Sequence, residues 1–91
     1  MSADSARIPR LARGLKFRFD GVRGAWVLLG PERLFLPDAA AVAVLQLIDG
    51  ARDLGGIVDA LAQQFDAPRA EIAADVAALL DDLTARGAVA W

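Results

Sequence analysis

The stretch that decides the fold is residues 28–50, LLGPERLFLPDAAAVAVLQLIDG, because its pattern of apolar residues changes halfway along. Its first half holds two short apolar runs separated by Gly30 and Pro31, a pair that favours a chain reversal. Its second half spaces apolar residues as a helix does, starting at Asp38, a suitable N-cap. The stretch therefore predicts a short strand at residues 33–36 that leads directly into a helix.

The sequence before this stretch predicts two more strands. Residues 15–20, LKFRFD, alternate apolar and charged side chains, which indicates a strand with one apolar face. Residues 25–29, AWVLL, are apolar throughout, as in a central strand covered on both faces. Gly21 and Gly24 lie in the turn between them. Together with residues 33–36, these segments predict a three-stranded antiparallel β-meander.

Three helices are predicted after the meander. The first starts at Asp38 and ends before Gly50, and Asp53 can cap the second. Pro68 suits the opening turn of the third helix, and Gly87 ends it. The apolar stripe of the third helix consists of Ile72, Val76, Leu79, Leu80 and Leu83.

This order predicts an α+β fold, a three-stranded antiparallel meander followed by a three-helix bundle, similar to a winged helix-turn-helix. A length of 91 residues favours a single domain. We expect that domain to span residues 9–91, after a flexible tail at residues 1–8, which is polar, small and interrupted by proline. Residues 88–91, AVAW, predict a short extended piece that pairs with another strand.

The composition argues against an enzyme. The chain has no His, Cys, Tyr or Asn, and its hydroxyl groups are those of Ser2, Ser5 and Thr84. A nucleophile with an adjacent histidine base is therefore excluded, as is a zinc site of Cys and His. Acid–base chemistry by two of the twelve Asp and Glu residues stays open as an alternative. We expect no catalysis, no metal and no cofactor.

The location predicted from the sequence is the cytoplasm. No run approaches the roughly 20 apolar residues that span a bilayer. The N-terminal residues lack the apolar segment of a secretory signal.

Charge is distributed unevenly along the chain. Residues 1–37 carry seven basic and three acidic groups, a balance of +4, and residues 38–91 carry three basic and nine acidic groups, a balance of −6. A winged-helix regulator that binds nucleic acid is the alternative function, but such a protein neutralises phosphates with its recognition helix. The third helix has a balance of −2 and would repel phosphate, so we expect no nucleic acid as partner.

The strand at residues 33–36 is short, apolar and next to a helix, which is typical of domains that capture an extended peptide. An open strand edge offers main-chain hydrogen bonds to a peptide, and neighbouring pockets select its side chains. The other interpretation is that these residues only complete the core. In either case we expect Leu34 and Leu36 to face the core, with Arg33 and partly exposed Phe35 pointing away.

Three segments in this order resemble the PqqD family of pyrroloquinoline quinone biosynthesis, over residues 8–91. They are PRLARGLKFRFD at 9–20, the opening stretch at 28–50, and EIAADVAALLDDLTARGAV at 71–89. The resemblance implies a peptide-recognition domain that binds the precursor peptide PqqA and presents it to PqqE, a radical S-adenosylmethionine enzyme. The chain departs from the family pattern at Pro37 and Asp38, where an N-cap is nevertheless retained.

The resemblance also implies a site, since relatives bind leader peptides as an added strand next to the third helix. The expected peptide contacts are Arg33, Leu34, Phe35, Leu36, Asp75, Val76, Leu79 and Leu80. An open edge and an apolar share of 56% also predict a homodimer under some conditions.

Overall fold

The computed structural model describes residues 3–91, and its elements follow the predicted order. The predicted α+β fold, a β-meander followed by three helices, is confirmed. The strands are β1 (Arg10–Leu11), β2 (Lys16–Asp20), β3 (Ala25–Leu29), β4 (Leu34–Phe35) and β5 (Val89–Ala90), and the helices are α1 (Ala39–Leu45), α2 (Leu54–Gln64) and α3 (Arg69–Ala85).

The meander is an antiparallel sheet in the order β2-β3-β4. Phe17 of β2 and Phe35 of β4 both pair with Leu28 of β3, so these three side chains share one face. Leu28 is fully buried, and both phenylalanines pack against the buried cluster. This face of the sheet therefore carries the core. The core cluster consists of Leu28, Val44, Leu45, Leu54, Ile57, Val58, Leu61, Ile72, Val76, Leu80, Leu83, Ala88 and Val89.

The helices begin where the sequence predicts. The Asp38 carboxylate accepts a hydrogen bond from the Ala41 N–H at 2.8 Å, and Asp53 accepts one from the Gly56 N–H at the same distance. Each bond satisfies one of the amides that a helix leaves free in its first turn. α3 follows Pro68, as predicted.

One predicted helix end is wrong. We expected the first helix to continue almost to Gly50, whereas α1 ends at Leu45. The Leu47 N–H bonds to the Val44 carbonyl at 3.0 Å, an i to i+3 bond that tightens the chain after the helix. The apolar periodicity continues through this turn, because Leu47 and Ile48 still pack against the core.

The two ends of the described chain meet. β5 pairs with β1, which confirms that the closing residues pair with another strand; β1 itself was not predicted. The Arg7 guanidinium lies 4.0 Å from the ring centre of Trp91, and the Arg7 carbonyl accepts from the Leu54 N–H at 2.9 Å. The predicted division into a flexible tail at 1–8 and a domain at 9–91 stays a prediction; Met1 and Ser2 lie outside the described residues.

Candidate functional site

β4 lies at an edge of the three-stranded sheet, and its hydrogen bonds show which backbone groups are free. The Arg33 carbonyl accepts from the Gly30 N–H at 2.9 Å, and the Arg33 N–H approaches the Gly30 carbonyl at 3.5 Å, so Arg33 faces β3. Backbone groups alternate sides along an antiparallel strand, so those of Leu34 and Leu36 face away from β3. Pro37 has no N–H and follows at once. The open edge is therefore short, and its donors and acceptors belong to Leu34 and Leu36.

The side chains of β4 lie opposite to our expectation. We expected Leu34 and Leu36 in the core and Phe35 pointing outward, whereas Leu34 is 46% exposed, Leu36 is 62% exposed, and Phe35 packs against the core. The reason is the register, because Phe35 pairs with buried Leu28 and must share its face. The two leucines are therefore available to a molecule that adds to the edge.

Arg33 attaches the start of β4 to the C-terminal end of α3. Its guanidinium donates to the carbonyls of Arg86 and Gly87, the second at 3.3 Å, and lies 4.7 Å from the Phe35 ring centre. A cation is favourable here because the last carbonyls of a helix carry partial negative charge. Gly87 has a φ of +76°, and a Cβ built there would lie 3.0 Å from an Arg33 nitrogen. Glycine at this position therefore suits both the helix end and the arginine contact.

The segment after β4 reaches the middle of α3, where Asp38 and Asp75 line the same pocket. The five steps from Arg33 to Asp38 cover about 16 Å in an extended chain. The eleven steps of helix from Asp75 to Arg86 also cover about 16 Å. Residues 33–38 therefore lead from the C-terminal end of α3, which the Arg33 side chain contacts, to the pocket that Asp75 lines.

The pocket at the Asp38 end has a volume of about 470 Å³ and lies between the three helices. Its walls are apolar except for two carboxylates, those of Asp38 and Asp75. The lining residues are Asp38, Ala39, Ala40, Ala43 and Val44 of the α1 end, Leu61, Phe65 and Ala67 of the α2 end, and Ile72, Asp75, Val76 and Leu79 of α3.

The structure brings part of the predicted α3 set to this surface. Asp75 is exposed, and half-buried Leu79 and buried Val76 line the pocket. Leu80 is fully buried in the core and has no surface to offer a peptide. Contact between a bound peptide and the eight expected residues stays a prediction.

Sequence reasoning missed the contribution of α1 and α2 to the pocket. The four-residue spacing of Ile57, Leu61 and Phe65 predicts that Phe65 belongs to the apolar stripe of the second helix, although 51% of its surface is exposed. The signal available in the sequence was the run of alanines that opens α1, because small side chains leave room between helices. Ala39, Ala40 and Ala43 all line the pocket.

Within residues 3–91, no group of three or more Asp or Glu residues is arranged to hold a metal ion. Backbone hydrogen bonds from Arg52 and Ala51 lower the pKa of Asp49, which lies in the loop after α1 and outside the pocket. No helix between residues 3 and 91 has the length and hydrophobicity needed to cross a membrane.

Comparison with known proteins identifies the family. Residues 25–89 match the family model described as coenzyme PQQ synthesis protein D (PqqD). The chain belongs to the PqqD family. A PqqA binding protein of Rhodopseudomonas palustris (strain TIE-1) is 48% identical over 87 residues, which cover 96% of this chain and 85% of the relative.

Two solved structures of PqqD proteins resemble this one, each at 40% identity. The solution structure of the PqqD truncation of Methylobacterium extorquens PqqCD, described as a functional, stand-alone recognition element for ribosomally synthesised and modified peptides, matches with a TM-score of 0.76. That match covers 99% of this chain and 100% of the other. The crystal structure of PqqD from Xanthomonas campestris matches with a TM-score of 0.56, over 94% and 93% of the two chains.

Proposed function

We propose that this protein is a peptide chaperone of pyrroloquinoline quinone biosynthesis, which binds PqqA and presents it to the radical S-adenosylmethionine enzyme PqqE. The PqqA binding proteins among its relatives support the first half of this proposal. The proposed role of the chain is binding and positioning, without bond-making chemistry of its own. The observation that carries the proposal is the open edge of β4, which the Arg33 side chain attaches to the C-terminal end of α3.

In the proposed complex, PqqA adds as a strand to β4. The backbone groups of Leu34 and Leu36 hydrogen-bond to the peptide, which supplies affinity that depends little on peptide sequence. The side chains of the same two leucines flank the peptide on the outer face of the sheet. Peptide side chains on the other face point toward Phe35 and α3, where selection by shape takes place.

The alternative of a nucleic-acid-binding regulator finds little support in α3. Its Arg69 pairs with Asp59 at 2.8 Å, and Arg86, just after the helix, pairs with Asp82 at 3.1 Å. Both cations of this region are therefore engaged by carboxylates. Phosphate neutralisation, on which affinity for nucleic acid depends, would have to break these pairs.

The test is a calorimetric titration of PqqA into this protein, alone and in the presence of PqqE. We expect saturable binding of one peptide per protein, and a ternary complex when PqqE is added. A set of PqqA peptides, each methylated at one backbone nitrogen, locates the added strand, because methylation removes a single N–H donor. Methylation should weaken binding at alternate positions within one short segment. Equal affinity for every methylated peptide would contradict strand addition.

A further inference from the structure

The pocket between the helices lies beyond the C-terminal end of β4, whereas Arg33 contacts α3 at the other end of the strand. Leu36 is the last residue with outward-facing backbone groups, and the pocket wall begins two residues later at Asp38. Two or three residues of extended chain span about 7–10 Å. A peptide paired with β4 therefore reaches the pocket within a few residues of its paired segment.

The walls of the pocket indicate the chemistry of one part of the ligand. Side chains from all three helices surround the space, including Val44, Leu61, Ile72 and Leu79. A volume of about 470 Å³ lies in the range of pockets that hold small organic groups. Moving an apolar side chain from water into such a space lowers the free energy, whereas a polar side chain would lose its hydrogen bonds to water.

The two carboxylates at the rim of the pocket, those of Asp38 and Asp75, indicate the chemistry of a second part of the ligand. Asp38 accepts from the Ala41 N–H through one carboxylate oxygen, and Asp75 is exposed. Within residues 3–91, neither carboxylate forms an ion pair, and no basic side chain lines the pocket. Arg69, at the start of α3, is engaged by Asp59 at 2.8 Å. A cation carried by the ligand would therefore meet two carboxylates at the rim and no competing basic side chain among the described residues that line the pocket.

We propose that this pocket is the specificity site for the peptide, and that it takes an apolar side chain with an arginine or lysine next to it in sequence. The apolar side chain enters between α1, α2 and α3, and the cation lies at the rim between Asp38 and Asp75. This inference rests on the proposed function, since it assumes that β4 receives the peptide. It adds the class of peptide residue that the pocket selects.

The first experiment blocks the pocket. Ala40 lines the pocket and is exposed, so Ala40→Phe fills the rim without disturbing the core. Ala74→Phe is the matched control, because Ala74 is an exposed alanine of α3 that does not line the pocket. In calorimetric titration with PqqA we expect binding to weaken about tenfold for Ala40→Phe and less than about twofold for Ala74→Phe. Equal affinities for the two variants would overturn the proposal.

The second experiment tests the paired charge with a double-mutant cycle. Each arginine of PqqA is replaced by neutral citrulline and each lysine by acetyl-lysine, and the peptides are titrated into wild-type protein and Asp75→Asn. For one of these cations, we expect the replacement to weaken binding to wild-type protein about two- to fivefold more than it weakens binding to Asp75→Asn. This is the size usual for exposed ion pairs. Glu71→Gln is the control, because Glu71 is an exposed acid of α3 outside the pocket. No coupling to Asp75, or equal coupling to Glu71, would overturn the proposal.

The two proposals fail in different ways. If wild-type protein does not bind PqqA, the proposed function and the pocket assignment both fail. If PqqA binds but neither the pocket-filling variant nor the charge cycle changes its affinity, only the pocket assignment fails.

Discussion

Phe35 of β4 lies directly opposite Leu28 of β3, and this pair determines which side chains of the edge strand are free. Leu28 is fully buried, so Phe35 is drawn onto the core face. Leu34 and Leu36 are left on the other face with 46% and 62% of their surface exposed. The same pairing turns the backbone groups of the two leucines toward the open edge.

The first prediction compares Phe35→Asp with Leu36→Asp. Phe35→Asp places a charge against the core and should lower the free energy of unfolding by about 2 kcal/mol. Leu36→Asp alters an exposed side chain and should change stability by less than about 0.5 kcal/mol. It should weaken PqqA binding roughly 5- to 50-fold, because it removes apolar contact beside the peptide. Thermal melts and calorimetric titrations of both variants make the comparison. Normal PqqA binding by Leu36→Asp would contradict the proposed edge.

Much of the fold could be predicted from local patterns. The caps at Asp38 and Asp53 are recognisable because a carboxylate before an apolar helical stripe has a local role. The sequence does not decide which side chains of β4 face the core. Three of the four residues at 33–36 are apolar, so this run fits a core face in either register. The Gly30–Arg33 hydrogen bonds of the turn and the pairing of Phe35 with Leu28 decide the register, and both involve residues that lie outside β4.

The pocket was beyond sequence reasoning for a related reason. It depends on how far apart α1, α2 and α3 lie, and that distance is set by packing across the whole core. The sequence identified Val76 and Leu79 through helical periodicity and the family resemblance. It gave no reason to place Leu61 or Phe65 beside them, because nothing local links the end of α2 to the middle of α3.

The second prediction concerns Arg33. Arg33→Ala removes two hydrogen bonds to the carbonyls at the end of α3 and should lower the free energy of unfolding by about 1 kcal/mol. Arg33→Lys keeps the charge but loses the planar guanidinium that donates to two carbonyls. Its free energy of unfolding should therefore lie between those of wild type and Arg33→Ala. Urea denaturation measures both variants. Amide hydrogen exchange should accelerate around Gly87 in Arg33→Ala, and unchanged exchange there would show that the contact does not hold the helix end.

The third prediction separates two roles of Asp38. Asp38→Asn retains a side-chain oxygen that caps α1, so stability should change by only a few tenths of a kcal/mol. Asp38→Ala removes the cap and should cost about 1 kcal/mol. Both variants remove the charge at the pocket rim, so both should weaken PqqA binding by about two- to fivefold at low salt. If Asp38→Asn binds PqqA as tightly as wild type in low salt, the charge at Asp38 has no part in recognition.

The fourth prediction concerns Arg7 and Trp91. The Arg7 guanidinium lies over the Trp91 ring and donates to the Trp91 carbonyl, which joins the two ends of the described chain. Trp91→Ala should lower the free energy of unfolding by about 1–2 kcal/mol, through lost ring burial and the lost cation–π contact. Trp91→Phe keeps a ring and should recover part of that loss. NMR relaxation of residues 3–8 is the second measurement, and rapid motion of Arg7 in wild type would support the predicted flexible tail.

The last prediction concerns self-association through the same edge. An unpaired strand can pair with a second copy of itself, and two β4 strands pairing in this way would cover the backbone groups of Leu34 and Leu36. Peptide binding and dimer formation should therefore compete. We expect sedimentation velocity to show a dimer that grows with protein concentration and that shifts to monomer when PqqA is added in excess. Leu34→Lys, which places a charge on the exposed side of the edge, should weaken the dimer in the absence of peptide. A dimer that persists with PqqA bound would have to use another surface, and the β4 edge would then serve the peptide alone.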